Sequence, residues 1–373
     1  MKITPTVIFI VSYSSDFNTS PLYQNLKKLY KILVFDVSEL PWIRNKPNPR
    51  NIINSNKDEI IKIKDFVSFI KLINKNKKSI FIGFFQDDMY DLPIKILLFN
   101  KIIIIDNSTP TFLNEQNIYN LKSPFHFFNK VNYFFYIFSR FINFTYKKNV
   151  MLVTKKIRPI GFHEVIQIRH PVYDNFTKMT FKRPNKTPFI GIILQNFMFQ
   201  DYDMIKDNEK IIDHGKLLSE LKSLLSKLAI SYNIKIFLHP NTDKDETIKL
   251  LGNYDIQNNV SFDKLLNCNL VIGCWSTALF YPLLLNIPTA LFTSNIFYTN
   301  TKTVHSINFY TYIFGVKSFN LSEDYSIQSI LTSSKINKNA RMNFINEQLG
   351  GTIKKSNIFI IKALFDRLFK YYF

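Results

Sequence analysis

Five polar residues that could bind a phosphate or move a proton follow directly after apolar runs. His239 follows "IKIFL", Gln195 and Asn196 follow "FIGIIL", and Ser276 and Thr277 follow "NLVIGC" after one intervening residue, Trp275. An imidazole titrates near neutral pH, so His239 could bind a phosphate or protonate a leaving oxygen. A small hydroxyl is a good helix N-cap, and the first N–H groups of a helix attract anions. These residue types predict a phosphate-binding site that also handles a proton.

Each of these residues also has a structural explanation. A histidine at a strand end can be satisfied by loop carbonyls, and Ser276 and Thr277 can simply cap the helix that "ALFYPLLL" predicts. Neither explanation is excluded for a residue taken alone. The order of the three strand-end sites along the chain is what favours a binding site.

Acidic residues follow two apolar runs in the first half of the chain. Asp16 comes after "TVIFIVS" (6–12), and Asp87 and Asp88 come after "SIFIGFF" (79–85). A carboxylate at such a place can take the proton from an attacking hydroxyl, although Asp is also an ordinary residue of strand-to-helix turns. We predict Asp16 as the catalytic base, with Asp87 and Asp88 as alternatives.

Short apolar runs alternate with helical patterns along the whole chain, which predicts parallel strands and crossover helices. Helices are expected at 21–30, 57–75, 216–230 and 245–252. Strands are expected at 6–12, 31–37, 79–85, 101–106, 150–154, 165–168, 189–194, 234–240, 269–274 and 289–292. Because ligands of such sheets bind beyond the carboxyl ends of the strands, the polar residues above occupy the expected places.

The predicted fold class is α/β, with two tandem Rossmann-like domains, a cleft between them and a C-terminal helix. The polar, proline-punctuated stretch around "RHPVYDNF" predicts a linker at 171–187 between an N-terminal domain (1–170) and a C-terminal domain (188–350). The tail at 351–373 is a basic, aromatic, amphipathic helix. The cleft between the domains is the expected ligand site.

Composition indicates a folded protein with an anionic partner. The chain has 373 residues, 46% hydrophobic content, two cysteines and a net charge of +20. A composition rich in Lys, Asn and Ile, typical of AT-rich coding, accounts for part of that charge. The absence of secretory and membrane-spanning patterns leads us to expect a cytoplasmic protein, peripheral on the inner face of the membrane. The aromatic, basic segment 123–148 is either a core helix or an interfacial helix on anionic lipid.

The order of these motifs resembles bacterial glycosyltransferases of the GT-B fold. A strand ending in "HP", a short helix, a strand opening onto a Ser-Thr step and then "IPTALF" is similar to sialyltransferase-like and CDP-glycerol polyol-phosphate transferase-like enzymes of surface polysaccharides. "HPVYDNF" (170–176) also looks like the step that precedes their donor domain. The resemblance is clearest over 165–292.

The resemblance implies roles for the predicted residues. His239 would contact the donor phosphate or act as its general acid, and Ser276 and Thr277 would hold that phosphate. A binding set of Gln195, Asn196, His239, Pro240, Ser276 and Thr277 would surround a nucleotide-sugar. Such enzymes need no metal and no cofactor besides this substrate. Phe280 and Tyr281 stand where many relatives carry an acidic residue for the ribose, which is a departure from the pattern.

The predicted function is transfer of a sugar, such as a CMP-activated sialic-acid-like one, onto a surface glycan or lipid-linked acceptor, with inversion. The alternatives are a CDP-glycerol or CDP-ribitol polyol-phosphate transferase and a non-catalytic scaffold of polysaccharide assembly. A nucleic-acid partner is not expected, because the sequence shows no zinc finger, RNP signature or basic zipper.

Overall fold

The chain forms two compact units, seen in a computed structural model. Unit 1 comprises Met1–Asp174 and Asn346–Phe373, and unit 2 comprises Asn175–Ile345. The residues that the structure describes are 6–11, 21–40, 59–84, 94, 98, 101–107, 149–154, 164–181, 187–195, 213–239, 242, 244–299 and 301–372. The tail that the sequence analysis sets apart therefore belongs to unit 1, and the predicted linker is divided between the units.

Unit 1 is built on a parallel sheet whose described strands run in the order β3-β2-β1-β4-β5-β6-β7. The strands are β1 (Thr6–Val11), β2 (Lys31–Asp36), β3 (Glu59–Lys62), β4 (Ile80–Phe84), β5 (Ile102–Asn107), β6 (Asn149–Val153) and β7 (Glu164–Gln167). The central strands β1 and β4 consist mostly of Ile, Val and Phe because both faces of the sheet are covered there.

Helices cover the two faces of the unit 1 sheet. The helices assigned along this part of the chain are α1 (Pro21–Leu26), α2 (Phe66–Lys75) and α3 (Pro171–Phe176). Alternate β1 residues face opposite cores: Phe9 lies in one cluster and Ile8 in the other. The cluster around Ile8 includes Phe69 and Ile73 of α2, and a C-terminal helix covers the face around Phe9.

Unit 2 repeats this architecture with the order β10-β9-β8-β11-β12-β13, again all parallel in the described chain. Its strands are β8 (Phe189–Ile193), β9 (Ile234–Leu238), β10 (Asp255–Asn258), β11 (Cys268–Gly273), β12 (Thr289–Thr293) and β13 (Ser318–Asn320). The remaining helices are α4 (His214–Ala229), α5 (Lys244–Leu251), α6 (Phe262–Leu265), α7 (Phe280–Leu285), α8 (Thr301–Phe314), α9 (Ile327–Ser333), α10 (Lys338–Gln348) and α11 (Asn357–Tyr372).

Helix α4 shows how local sequence forms these elements. Asp213 is its N-cap and accepts a hydrogen bond from the Lys216 amide at 2.9 Å, which satisfies one of the free N–H groups of the first turn. One face of the helix is buried and consists of Leu217, Leu221, Leu224, Leu225 and Leu228. This spacing places all five leucines on the side that packs on the sheet.

Each sheet reverses its strand order between its first and fourth strands. In unit 2 the first strand, β8, lies between the second strand, β9, and the fourth strand, β11. This is the Rossmann-like order, in which ligands bind beyond the carboxyl ends of the two strands that flank the reversal. The predicted α/β class with two tandem Rossmann-like units and a C-terminal helix is confirmed.

The predicted helix at 57–75 is wrong in its first part. The structure has strand β3 at Glu59–Lys62 and helix α2 only from Phe66, after the N-cap Asp65. Ile60 and Ile61 are β-branched and pair with Val34 and Phe35 of β2, so an open sheet edge outweighs the helical spacing. None of the described helices is both long enough and apolar enough to cross a membrane.

Candidate functional site

The carboxyl ends of four neighbouring strands meet at one edge of the unit 2 sheet. Phe237 of β9 pairs with Ile193 of β8, which pairs with Gly273 of β11, and Gly273 pairs with Leu291 of β12. Two positions further along these strands come His239, Gln195, Trp275 and Thr293. The structure therefore brings His239, Gln195 and the step at Ser276 to the same edge, around the reversal of strand order.

Gln195 carries a buried polar atom without a partner. Its Oε1 is shielded from solvent, and no described group hydrogen-bonds to it. Burying such an oxygen unpaired costs about 1–3 kcal/mol, so an atom of this kind at a strand end indicates a place for a ligand donor.

Thr242 presents a second atom of the same kind beside His239. The Thr242 amide donates to the His239 carbonyl at 2.9 Å, which folds the chain back at the end of β9. The Thr242 Oγ1 is buried, again with no hydrogen-bond partner in the described part of the chain. Sequence reasoning missed this residue, although its position in the polar "HPNTD" stretch after a strand is the signal that points to it.

Ser276 forms the turn between β11 and the helix that follows. Its backbone is extended, and its Oγ accepts a hydrogen bond from the Ala278 amide at 3.2 Å, capping the 3-10 turn Thr277–Leu279 that leads into α7. Ser276 is buried and Thr277 is exposed. The cap uses Ser276 as an acceptor, so its hydroxyl proton is not consumed by this bond.

Gly273 allows this turn to fold tightly against the sheet. A Cβ at this position would lie 3.0 Å from the Leu279 Cδ2 and 3.3 Å from the Ile193 carbonyl oxygen. Both distances are shorter than ordinary contacts, so a side chain would push the turn away from β8. The glycine therefore sets the close approach between the Ser276 turn and the first strand.

Tyr310 of α8 supports the same turn from behind. It is buried, and its hydroxyl is hydrogen-bonded to the Ser276 backbone. Burial, together with the neighbouring Cys274 thiol, raises the pKa of Tyr310, so the phenol stays neutral. Nothing in the local sequence around either residue predicts this contact, because it depends on how α8 packs on the sheet.

Phe280, which stands where the resemblance to GT-B enzymes implies an acidic residue, belongs to the core. It is fully buried, and its ring centroid lies 5.2 Å from that of Phe344 and 6.2 Å from that of Tyr310. Tyr281 is partly buried against Phe262, with ring centroids 4.6 Å apart. Burial therefore removes Phe280 from contact with any ligand at the strand ends.

The "HPVYDNF" stretch anchors the C-terminal segment to unit 1. Asp174 is buried, pairs with the Arg169 guanidinium at 3.6 Å and accepts from the Asn357 amide at 3.2 Å. The Asn357 side chain accepts from the Arg169 amide at 2.8 Å and donates to the Arg169 carbonyl at 2.8 Å. His170 is buried, and desolvation lowers its pKa from 6.5 to about 3, so it is a neutral core residue.

Several predicted features fall outside the residues that the structure describes. They are Asp16, Asp87, Asp88, Asn196, Pro240 and the aromatic segment 123–148. Their proposed roles stay predictions.

The fold can be compared with known proteins. No protein-family model matches the chain, and no curated protein matches it in sequence. Among solved structures, the wall teichoic acid polymerase TagF is 11% identical, with 98% of this chain and 89% of that chain covered and a TM-score of 0.50. The glycosyltransferase SnogD from Streptomyces nogalater is 9% identical, with coverages of 97% and 99% and a TM-score of 0.51. The likeness extends over both units, and the chain therefore has the fold of GT-B glycosyltransferases.

Proposed function

We propose that this protein is a glycosyltransferase that moves a sugar from a nucleotide-sugar donor onto a surface glycan or lipid-linked acceptor. The observation that carries the proposal is the buried Gln195 Oε1 at the reversal of strand order in unit 2, which has no hydrogen-bond partner among the described residues. Gln195 and His239 occupy equivalent positions after the neighbouring strands β8 and β9. Ser276 follows β11, the strand on the other side of β8. These groups suit a ligand that has a polar base and a phosphate. The Gln195 oxygen can accept a hydrogen bond, and the His239 imidazole and the Ser276 hydroxyl can donate one.

In the proposed reaction the acceptor hydroxyl displaces the nucleotide from the anomeric carbon. The new bond joins the acceptor oxygen to that carbon, and the bond from the carbon to the phosphate oxygen breaks, with inversion. His239 protonates or hydrogen-bonds the departing phosphate, and the Ser276 hydroxyl donates a further hydrogen bond. These donors stabilise negative charge as it develops, which is where a transferase gains most of its rate. Asp16 is the proposed base, with Asp87 and Asp88 as alternatives.

A polyol-phosphate transferase is the second candidate, favoured by one neighbour. A TagF variant soaked with CDPG is 12% identical, with coverages of 98% and 88% and a TM-score of 0.50. In that reaction a phosphate travels with the transferred group, so the leaving group is CMP. The mass of the product distinguishes the two reactions, because only the second adds a phosphate.

Thermal stabilisation by CMP, CDP, UDP, GDP and dTDP tests the proposal. One nucleotide should raise the unfolding free energy by roughly 2.7 kcal/mol at 100 times its Kd. CMP would indicate a cytidine donor but is the leaving group of both reactions, so the product mass must then distinguish them. CDP would favour the polyol-phosphate branch. If no nucleotide stabilises the protein, the scaffold alternative replaces the proposal.

Ser276→Ala and a matched capping variant show whether Ser276 binds the nucleotide. Ser326 caps α9 in the same unit and accepts from the Ser329 amide at 3.0 Å. Both Ser→Ala variants should lose about 1 kcal/mol of stability through the lost cap. Only Ser276→Ala should also lose the nucleotide-dependent increment. Equal increments in the two variants would reduce Ser276 to a helix cap.

His239→Ala tests whether His239 is the general acid that protonates the departing phosphate. It should lower turnover by roughly 10²–10⁴-fold if the imidazole is the general acid. If turnover were unchanged while the nucleotide still bound, His239 would have no part in the chemistry.

A further inference from the structure

The C-terminal helix α11 has an inner face that fixes it and an outer face that no described element covers. Its buried residues are Ile361, Leu364, Phe365 and Leu368, which join the core cluster around Phe9. On the opposite side lies an outer stripe of exposed residues: Lys355, Phe359, Lys362, Asp366 and Lys370. Lys355 lies two residues before the helix, and the other four residues, spaced three, four and four apart, align along about 16 Å of helix surface.

The outer stripe is basic. Three of its five residues are lysines, and Lys354 precedes them. Within the described part of the chain, none of these four lysines forms a salt bridge. The single acid, Asp366, hydrogen-bonds the Tyr30 hydroxyl, and burial first and then this carboxylate raise the pKa of Tyr30 to about 12. The stripe therefore presents uncompensated positive charge.

Phe359 gives the stripe an apolar contact. Its side chain is 55% exposed, although phenylalanine is a large apolar residue that is ordinarily buried. The Lys355 ammonium lies over its ring, 4.7 Å from the centroid. Tyr371, which is 73% exposed, flanks the far end of the helix. An aromatic side chain between lysines on one helix face is the pattern of an interfacial helix, whose aromatics enter the headgroup region while its cations meet anionic lipid.

We propose that the outer stripe of α11 docks the protein onto an anionic phospholipid bilayer. Charge complementarity supports this occupant, and residues aligned along one face of a helix suit a flat surface. The inner face of α11 is bound to unit 1, so the stripe is preformed and docking needs no coupled folding of the helix. The proposal does not depend on the proposed transferase activity, because docking needs no turnover.

Co-sedimentation of the full chain with vesicles tests it. The wild type should bind phosphatidylcholine vesicles that contain about 30% phosphatidylglycerol, more weakly at about 0.5 M than at about 0.1 M salt. Lys355→Glu/Lys362→Glu should bind at least about tenfold more weakly, because each lysine near an anionic surface contributes on the order of fivefold. Phe359→Ser should also weaken binding, without changing the net charge.

A charge-matched control separates this surface from the general basicity of the protein. Lys75→Glu/Lys78→Glu makes the same change in net charge at the end of α2, on the opposite face of the unit 1 sheet. It should leave vesicle binding within about twofold of the wild type. All variants change exposed side chains, and thermal unfolding checks that they fold.

Three results would overturn the proposal. The first is a wild type that does not sediment with anionic vesicles. The second is an equal loss in the α11 and α2 variants, which would assign binding to net charge. The third is retention of vesicle binding by both α11 variants, including the case in which they lose binding to DNA or association between copies instead.

Discussion

Two histidines followed by proline show how burial alone separates residues of the same type and local sequence. His170-Pro171 and His239-Pro240 both come shortly after the end of a strand. His170 is buried, with its Nδ1 accepting from the Val172 amide at 3.2 Å, whereas His239 is partly exposed and follows β9, the strand that pairs with the strand before Gln195. Only the second is placed to meet a ligand. The sequence pattern nominated only His239 as a site residue, and the structure adds the burial that separates the two.

The buried His170 should make the free energy of unfolding depend on pH. Its pKa falls from 6.5 in the unfolded chain to about 3 in the fold, so only the unfolded state takes up a proton between these values. The neutral histidine supports the fold fully above pH 6.5, and that support is lost as the pH falls towards 3. The maximal slope is about 1.4 kcal/mol per pH unit.

His170→Asn tests this term, since the amide oxygen can replace the Nδ1 acceptor without titrating in this range. Urea unfolding at several pH values below 7.5 should show the stability difference between wild type and variant narrowing as the pH falls. A difference that stays constant over the whole range would contradict the prediction.

At the scale of elements, the hydrogen bonds that a neighbouring strand offers can determine whether a segment becomes a strand or a helix, even where its periodicity indicates a helix. The stretch 57–75 has helical spacing, yet its first part pairs as β3 because β2 offers a free edge. The strands β10 and β13 were not predicted, since four and three residues give too short a pattern. The longer apolar runs were predicted to within about two residues because their burial on both faces leaves a continuous signal.

Asn357 is predicted to hold α11 in place. Its side chain makes two hydrogen bonds to the Arg169 backbone, and it is only 3% exposed. Asn357→Ala leaves both backbone groups unpaired and should cost about 3 kcal/mol of unfolding free energy. Lys362→Ala on the outer stripe of the same helix is the control and should stay within about 0.5 kcal/mol. A loss below about 1 kcal/mol for Asn357→Ala in urea unfolding would show that the inner face alone secures the helix.

At the scale of the whole molecule, the two units differ in how the chain builds them. Unit 2 is one continuous stretch, whereas unit 1 needs the C-terminal segment to complete its core. The two segments of unit 1 are joined through the contacts among Arg169, Asp174 and Asn357. Unit 1 therefore depends on residues that follow unit 2 in the sequence.

Deletion of α11 should unfold unit 1 selectively. It removes four buried apolar side chains worth about 1.5–3 kcal/mol each, a sum comparable to the stability of a whole domain. Hydrogen exchange read by mass spectrometry should show lost protection in β1–β7 and retained protection in β8–β13. Equal loss in both sheets, or none, would contradict the independence of the two cores.

The sequence by itself determined that this chain is a two-domain α/β protein and which polar residues follow its strands. Both follow from local signals, because apolar runs, caps and turn residues act within a few positions along the chain. Only the tertiary structure decided the strand order, the equivalent positions of Gln195 and His239 on neighbouring strands, the burial of the Thr242 hydroxyl without a partner among the described residues, and the support of Ser276 by Tyr310. Register and burial arise from packing between segments far apart in sequence, and no local pattern carries that information.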